Sequence, residues 1–578
     1  MKTKSLILAG LALAALVSCS KENKETPVFE GDKAYINVNI VYSDAATRGT
    51  GDSTNPFWFG TAEENKAETA YFFFYNADGT FATFASKKIT WSKNGEDEKT
   101  TNNIERIGNG IVVLSGLKST NYPTYMSVVL NPNGDMVTDL QGKSIAEAKA
   151  YIIDAIATEG TTTKWTDFVM TSSSANNGDA NTGYFCEKLD ANNFQETAEA
   201  AEKDANTVTA YVERLAAKVK VGFATTLDAD KIEVGSFMVN GTAKTLYCKV
   251  SGWGLNATAK ESYVFKNIEP TWAFAGFSWN DYATNHRSYW GKSTKYGLKD
   301  NVFYPANYAA TTKSNEATTL NYVNYNALAV KIDNAAYCRE NTNTVPVLSS
   351  VNFSSAVTSV LLQAQVVDEN GAAVELVNYG KKLYTFDNYV AKVLSDYKDN
   401  NSSKRIFTRL VTPDAAYNEI TASYIEVKNE LDGNISLKAQ TLGTGVSYYF
   451  YDGSDYKDAT ADEVTAALNG TSTTPETLAQ YYKTGMMYYN IPIEHLNDGE
   501  GYAKYGDSNF KANLKEASYG VVRNHYYMLT VNSIKNLGKA VYDAEESIIP
   551  SDDDLKDYYV GAKVNILSWK VVKQEVNL

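Results

Sequence analysis

Apolar residues return at every second position through much of this chain. In Tyr35–Tyr42, Ile36, Val38, Ile40 and Tyr42 share one face, the period of a half-buried β-strand. Tyr71-Phe-Phe-Phe-Tyr75 runs into Asn76-Ala-Asp78-Gly79 and then Thr80–Phe84, the pattern of a hairpin. Met126–Leu130, Val219–Phe223, Ile232–Val239, Tyr247–Val250, Tyr526–Val531 and Val564–Val576 read as further strands. Val357–Val367 is apolar enough for a central strand. Helical signals are fewer. Ser144-Ile-Ala-Glu147 is a capping box and predicts a helix to about Ile156. Thr460-Ala-Asp-Glu463 predicts a second helix stopped near Gly470, Thr474-Pro475 a third, and Asp387–Tyr397 a fourth. Strands following strands, with short helices in the connections, predict an all-β protein of packed antiparallel sandwiches.

Composition agrees with that reading. The chain has 578 residues, enough for about three to five domains or two large ones. Tyr, at 41 residues against 22 Phe and 8 Trp, suits half-buried pleated surfaces. The formal charge of 54 − 68 = −14 gives a nucleic acid no electrostatic hold. Three His and four Cys leave little for zinc, haem or iron–sulfur sites. His286, His495 and His525 lack ligand spacing, and no GxSxG, HExxH, Walker or GxGxxG motif occurs. Ser551-Asp-Asp-Asp554 reads as a solvated loop. No cofactor, metal or catalytic residue is assigned, which moves the weight towards a structural or binding role. A domain boundary is expected near 250–265, where regular strands give way to an irregular Trp- and Asn-rich run.

The two ends carry the strongest signals. Residues 1–19 join a short basic region (Lys2, Lys4) to an apolar stretch too short to span a bilayer comfortably, as in a secretory signal. The stretch ends in Leu16-Val17-Ser18-Cys19, which resembles a bacterial lipobox; that resemblance implies a lipid on Cys19 and a membrane tether. Cys186, Cys248 and Cys338 then remain, as buried small hydrophobes or as one disulfide and one free thiol. Residues 20–34 read as a tether. After the strand at 35–42, Asp44–Asp52 is small, polar and Gly-containing, so Arg48-Gly49 is open to a protease. The chain closes on β-prone sequence. Val564, Ile566, Val572 and Val576 fall on one face, and Leu567, Trp569 and Val571 on the other. An apolar terminal strand needs a groove in its own domain or a neighbour's. Taking the first strand out of a sandwich opens such a groove, and a tail from another copy fills it by donor-strand addition. That contact is heterologous and propagates into a filament.

In this context the chain resembles the Bacteroidales fimbrillins, the subunits of type V pili, and within them the large-subunit branch of the short fimbriae. The likeness is carried by Leu16–Cys19, Arg48-Gly49, Phe168-Val-Met170, Val212-Glu-Arg214, His286–Trp290 and Tyr337–Asn341, then Tyr519–Val531 and the tail Val564–Trp569. It implies two transthyretin-like Greek-key β-sandwich domains in tandem. The implied division is a lipoprotein signal peptide at 1–19 and a propeptide with a removable first strand at 20–48. An acceptor domain at 49–255, a second domain at 256–555 and a donor strand at 556–578 follow. It also implies an outer-membrane lipoprotein precursor, cleaved after Arg48 by an Arg-specific surface protease, and a mature subunit of charge −15 in the extracellular fimbrium. Partners would be other copies of the chain with anchor and tip subunits, and the role adhesion and biofilm formation. The acidic loop before the tail is shorter than the spacer of some family members. Alternative readings are a fimbrial anchor or tip adhesin, and a surface glycan-binding lipoprotein or hydrolase, since Tyr and Trp rings also stack on sugars.

Overall fold

A computed structural model describes residues 33–42, 61, 63–91, 106–115, 122–157, 165–174, 182–269, 272, 286–298, 320–401, 404–470, 474–495, 505, 507, 509–552, 561–568 and 570–577. For 39, 41, 42, 90, 91, 106–109, 288, 561–568 and 570–577 it describes the backbone alone. Strands dominate, the helices are short, and the longest described helix is Phe386–Asn400.

The first sheet runs in the order Phe81–Lys88, Thr69–Tyr75, Tyr125–Leu130, Met170–Ser172, Val208–Arg214, Lys33–Tyr42, Arg106–Ser115, Thr90–Trp91. The expected hairpin is its edge: Thr69–Tyr75 and Phe81–Lys88 pair antiparallel around a turn with Gly79 at φ +81°. The sheet curls, so its two flanks approach each other. A Cβ on Gly110, in the strand Arg106–Ser115, would meet Lys87 Cγ at 3.2 Å. Ile36, Val38, Phe72, Phe74, Val112, Met126, Val128 and Val212 pack inside the curl.

The chain leaves this sheet at Leu215. Val208–Arg214 is the last strand of the first sheet, and Ala216–Phe223 already lies in another. That five-stranded sheet runs Ala335–Arg339, Ala216–Phe223, His525–Ser533, Lys570–Asn577, Gly561–Ser568. It faces a larger sheet that includes Ile232–Val239, Thr242–Asn256, Ser359–Val367 and Met486–Pro492. Val219, Val221, Leu529 and Val531 from one side meet Val250, Trp253, Leu362, Val366 and Ile491 from the other in a single core. The boundary expected near 255 does not coincide with the change of sheet: strands from 216 to 256 all pair with later ones. One buried residue makes the crossing, so no linker composition marks it.

Pairing also departs from the all-antiparallel expectation. Lys33–Tyr42 lies parallel to Val208–Arg214, and His525–Ser533 parallel to both Ala216–Phe223 and Lys570–Asn577. Parallel neighbours need long crossovers, which these widely separated segments have. The helix at Thr460 forms as expected, Ala461–Asn469 with a complete capping box. The capping box at Ser144 forms too, yet its helix ends at Lys149 and Ile152–Ile153 is a strand. Thr474-Pro475 opens no helix; Ala479–Tyr482 is a strand there, because Tyr481 and Tyr482 are held in the larger sheet by pairing to Leu376–Asn378. The expected Asp387–Tyr397 helix is longer, Phe386–Asn400. Cys186, Cys248 and Cys338 are all free and buried, and the disulfide alternative is absent.

Trp253 is fully buried and its Nε1 donates to the Lys331 carbonyl at 3.2 Å. Trp253→Ala leaves a large cavity and an unmet carbonyl. Denaturant unfolding is expected to show a loss of about 3–5 kcal/mol. Met238→Ala, at a residue 54% exposed, should change stability by less than about 0.5 kcal/mol.

Candidate assembly site

The first strand is a central strand. Lys33–Tyr42 pairs over its whole length with Arg106–Ser115, from Lys33 opposite Ser115 to Tyr42 opposite Arg106. On its other side Val38 to Tyr42 pair with Val208 to Val212. Before that, Tyr35 exchanges two backbone hydrogen bonds with Gln195, at 2.8 and 2.9 Å. Ala34, Ile36, Val38 and Ile40 are each 1% exposed or less and lie in the core of the curl. Asn37 faces the opposite side and is buried too; its Nδ2 donates to Thr207 Oγ1 at 2.9 Å.

The size of this interaction limits how the strand can leave. Each fully buried Ile or Val contributes about 1.5–3 kcal/mol. Each ladder hydrogen bond adds about 0.5–1.5 kcal/mol net. Together they rival the roughly 5–15 kcal/mol that holds a whole domain. Loss of the strand without a replacement would therefore leave the first sheet far less stable.

The C-terminal residues are a hairpin, which corrects the single terminal strand expected from the sequence. Gly561–Ser568 and Lys570–Asn577 pair antiparallel, with Ser568 opposite Lys570, Ile566 opposite Val572, and Ala562 opposite Val576. The chain reverses between Ser568 and Lys570 because each half gains a full ladder with the other. Val564, Ile566 and Leu567 thus belong to one strand, and Val571, Val572 and Val576 to the next. The inner strand, Lys570–Asn577, also pairs with His525–Ser533. The outer strand, Gly561–Ser568, pairs with the inner one alone and ends the sheet. First strand and hairpin lie in different sheets. Cys19, Arg48, Gly49 and Trp569 lie outside the described residues, as do residues 1–32; of Tyr42 the backbone pairing is described.

Segments that look unrelated in sequence gather between the first sheet and the five-stranded sheet. Arg214 is buried; its Nε donates to the Glu64 carbonyl at 3.1 Å and its backbone amide to Asn524 Oδ1 at 3.4 Å. Lys218 Nζ stands 2.6 Å from Glu64 Oε1, and the Tyr337 hydroxyl donates to the same oxygen at 2.5 Å. Desolvation pushes the Glu64 carboxyl up, but the Lys218 charge and these hydrogen bonds outweigh it and hold the group below its usual range. A second cluster pairs Lys266 with Glu213 at 2.5 Å and Arg523 with Glu340 at 3.2 Å. Arg523 also donates to the carbonyls of Val264 and Tyr263, at 3.1 and 2.8 Å. Asn524, at φ +59°, turns the chain into the strand His525–Ser533, and its amide donates to the Ala216 carbonyl at 2.7 Å. Arg523-Asn524-His525 reads from sequence as sheet-edge residues; all three are buried. His495 Nδ1 lies 2.9 Å from the Tyr527 hydroxyl, which accepts from the Val522 amide. Burial of every such group inside a bonded network makes this a structural joint. Among the described residues no set of three His, Cys, Asp or Glu side chains is grouped to hold a metal ion. No described helix is long and apolar enough to cross a membrane.

Two expected outcomes test this electrostatic picture. Arg523→Met strands the Glu340 carboxylate, 1% exposed, without its cation. Unfolding should show a loss of about 3–5 kcal/mol, most of it recovered in Arg523→Met/Glu340→Leu. Glu187 sits beside Ser174, which donates to Oε2 at 3.0 Å, and burial pushes its carboxyl up to about 7. Between its ordinary value of 4.5 and about 7 the folded chain holds a proton that the unfolded chain has released. Stability from this group is therefore full below about pH 4.5 and lost as pH rises through 7. Melting temperatures from pH 4 to 8 should fall less in Glu187→Gln than in the parent.

Comparison with known proteins then places the chain. Residues 480–575 match the family model "Major fimbrial subunit protein type IV, Fimbrillin, C-terminal". No curated protein matches the sequence. Among solved structures, a candidate cell adhesion protein of Parabacteroides distasonis aligns over 94% of this chain and 99% of its own, at 10% identity and a TM-score of 0.33. A fimbrilin of Porphyromonas gingivalis aligns over 95% and 98%, at 11% and 0.31. A C-terminally truncated tip fimbrial protein of the same species aligns over 57% and 78%, at 7% and 0.27. Structural likeness at that level carries no argument, so the comparison rests on the family model. Its match takes in the joint at Arg523–His525 and nearly all of the terminal hairpin, and over this C-terminal region the chain is similar to the fimbrillins.

Proposed function

We propose that this chain is the precursor of a polymerising shaft subunit of a cell-surface fimbria. In this reading Cys19 carries a lipid that tethers the precursor to the outer membrane. An Arg-specific protease cuts between Arg48 and Gly49, and residues 1–48 leave with the first strand. The C-terminal segment of another copy then fills the vacated groove. Of the two tandem sandwich domains in this reading, the first ends at Leu215 and not at 255, since the strands from Ala216 to Asn256 pair with later ones and go with the second. In this reading the chain is of the kind of the large-subunit branch of the short fimbriae, and anchor and tip subunits complete the filament.

The observation that carries the proposal is the place of the first strand. The strand nearest the expected cleavage site is also the one whose removal leaves two unpaired sheet edges facing each other, Arg106–Ser115 and Val208–Arg214. Cleavage at a loop beyond a peripheral strand would open nothing. At the other end, the outermost strand of the five-stranded sheet has one neighbour, so its release breaks a single ladder.

Purified full chain trimmed by an Arg-specific protease should form oligomers that survive SDS, and the same chain lacking residues 560–578 should stay monomeric. Monomers in both cases would remove the shaft reading. Resistance of the Arg48-Gly49 bond in the surface-displayed protein would point to an anchor instead.

A further inference from the structure

The two ends of the chain share a five-residue pattern. Ala34-Tyr35-Ile36-Asn37-Val38 lies in the first strand, and Ala562-Lys563-Val564-Asn565-Ile566 in the outer strand of the terminal hairpin. In each, Ala and two β-branched residues occupy alternate positions, and an Asn sits between them on the opposite face. Asn is depleted in strands, so its presence there asks for a reason. Asn flanked on both sides by Ile or Val occurs in this chain at Asn37, Asn39 and Asn565 alone. Of these, Asn37 and Asn565 have Ala three positions earlier.

In the first strand each position of the pattern has a defined use. Ala34, Ile36 and Val38 fill the core. Asn37 is 3% exposed and reaches Thr207, which is held in turn by its own hydroxyl donating to the Lys203 carbonyl at 3.3 Å. We propose that Asn565 is the register key of the donor strand: it takes the place of Asn37 against Thr207 of the neighbouring copy. Ala562, Val564 and Ile566 then enter the sites of Ala34, Ile36 and Val38. This rests on the donor-strand reading above and adds to it a fixed register, a fixed direction and a recognising residue in the acceptor.

Competing registers fail on the same positions. A slip of one residue turns Lys563 and Asn565 into the core. A slip of two that sets Asn565 at the Asn39 position puts the longer, charged Lys563 in the buried Asn37 site and leaves Ala562 in the Ile36 site. The opposite slip of two forces Val564 into the space of Ala34 and leaves Thr207 facing Leu567. In the proposed register Lys563 takes the half-buried place of Tyr35, and Ser568 underfills the site of Ile40. The pattern thus tolerates one loose position at the end of the strand and none at its centre.

Cross-linking reads the register directly. Across the sheet, Asn37 faces Ile111, while the two-residue slips bring Asn565 opposite Asn109 or Val113. Full chains carrying N565C with I111C, N109C or V113C are trimmed after Arg48, polymerised and mildly oxidised. The native Cys186, Cys248 and Cys338 are buried, and trimming removes Cys19. The expected result is an intermolecular disulfide ladder for N565C/I111C, absent from untrimmed protein and weak in the other two pairs. Asn565→Leu leaves Ala562, Val564 and Ile566 in place but removes the hydrogen bond to Thr207, and should slow polymerisation about two- to tenfold, the effect of one hydrogen bond. A ladder strongest with N109C or V113C overturns the register. SDS-resistant polymers with no ladder in any pair show that a different segment is the donor and also overturn it. Failure of the unmutated chain to polymerise removes the donor-strand reading, and the register with it.

Discussion

A sheet with a central strand missing has two facing rows of unpaired backbone groups, and the first strand is what prevents that here. Lys33–Tyr42 satisfies Arg106–Ser115 along its full length and Val208–Val212 along half of it. It also supplies four side chains to the core of the curled sheet. Buried backbone donors and acceptors are nearly always paired. Whatever removes this strand must therefore hand its place to an equivalent one. That requirement is what ties the first strand to the proposed donor segment, although the two lie in different sheets.

The proposed exchange between copies needs a rigid acceptor, and the buried joint ties the first sheet to the five-stranded sheet. Glu64 and Asn65, just before the strand Thr69–Tyr75, meet Arg214 and Lys218 on the two sides of the sheet crossing at Leu215. Asn524 fastens the same corner to the start of His525–Ser533, the strand on which the terminal hairpin rests. Paired charges of this kind contribute little net stability, yet loss of one partner is severely destabilising. Their effect is geometric. They fix the end of the first sheet to the strand on which the hairpin rests.

Local pattern was enough to place many strands: alternation for 35–42, an aromatic run and turn for the hairpin read at 71–84, and a continuous apolar run for the central strand read at 357–367. The capping box at Thr460 located its helix, since the box itself is the structure. What stayed hidden was non-local. No residue near Leu215 announces a change of sheet, because Leu215 is as apolar as its neighbours and the crossing needs no Gly or Pro. The reversal between Ser568 and Lys570 lacks the Asn-Gly or Asp-Gly signal of a tight hairpin. Pro475 suits a first helical turn, but tertiary pairing of Tyr481 and Tyr482 overrides it. The ion clusters were invisible because Glu64, Lys218 and Tyr337, or Glu213, Lys266, Glu340 and Arg523, are brought together by the fold alone. Glu213, Tyr337, Glu340 and Arg523 fall inside segments that carry the likeness, whereas Glu64 and Lys266 lie outside them.

The hairpin adds a last step to this logic. A tail left free in solution would expose an apolar β-prone strand, a template for unspecific edge pairing. Laid against His525–Ser533 it is instead kept as an edge, with its inner strand shielding the sheet and its outer strand one ladder from release. In the proposed assembly the outer strand moves from an edge, where one side is paired, to a central place, where both are. The gain of that second ladder and of buried side chains favours the transfer once the first strand has gone. Before the proposed cleavage the groove's own strand makes the same contacts intramolecularly, at an effective concentration no neighbour can match. In that assembly, strand pairing alone would set the direction in which copies add.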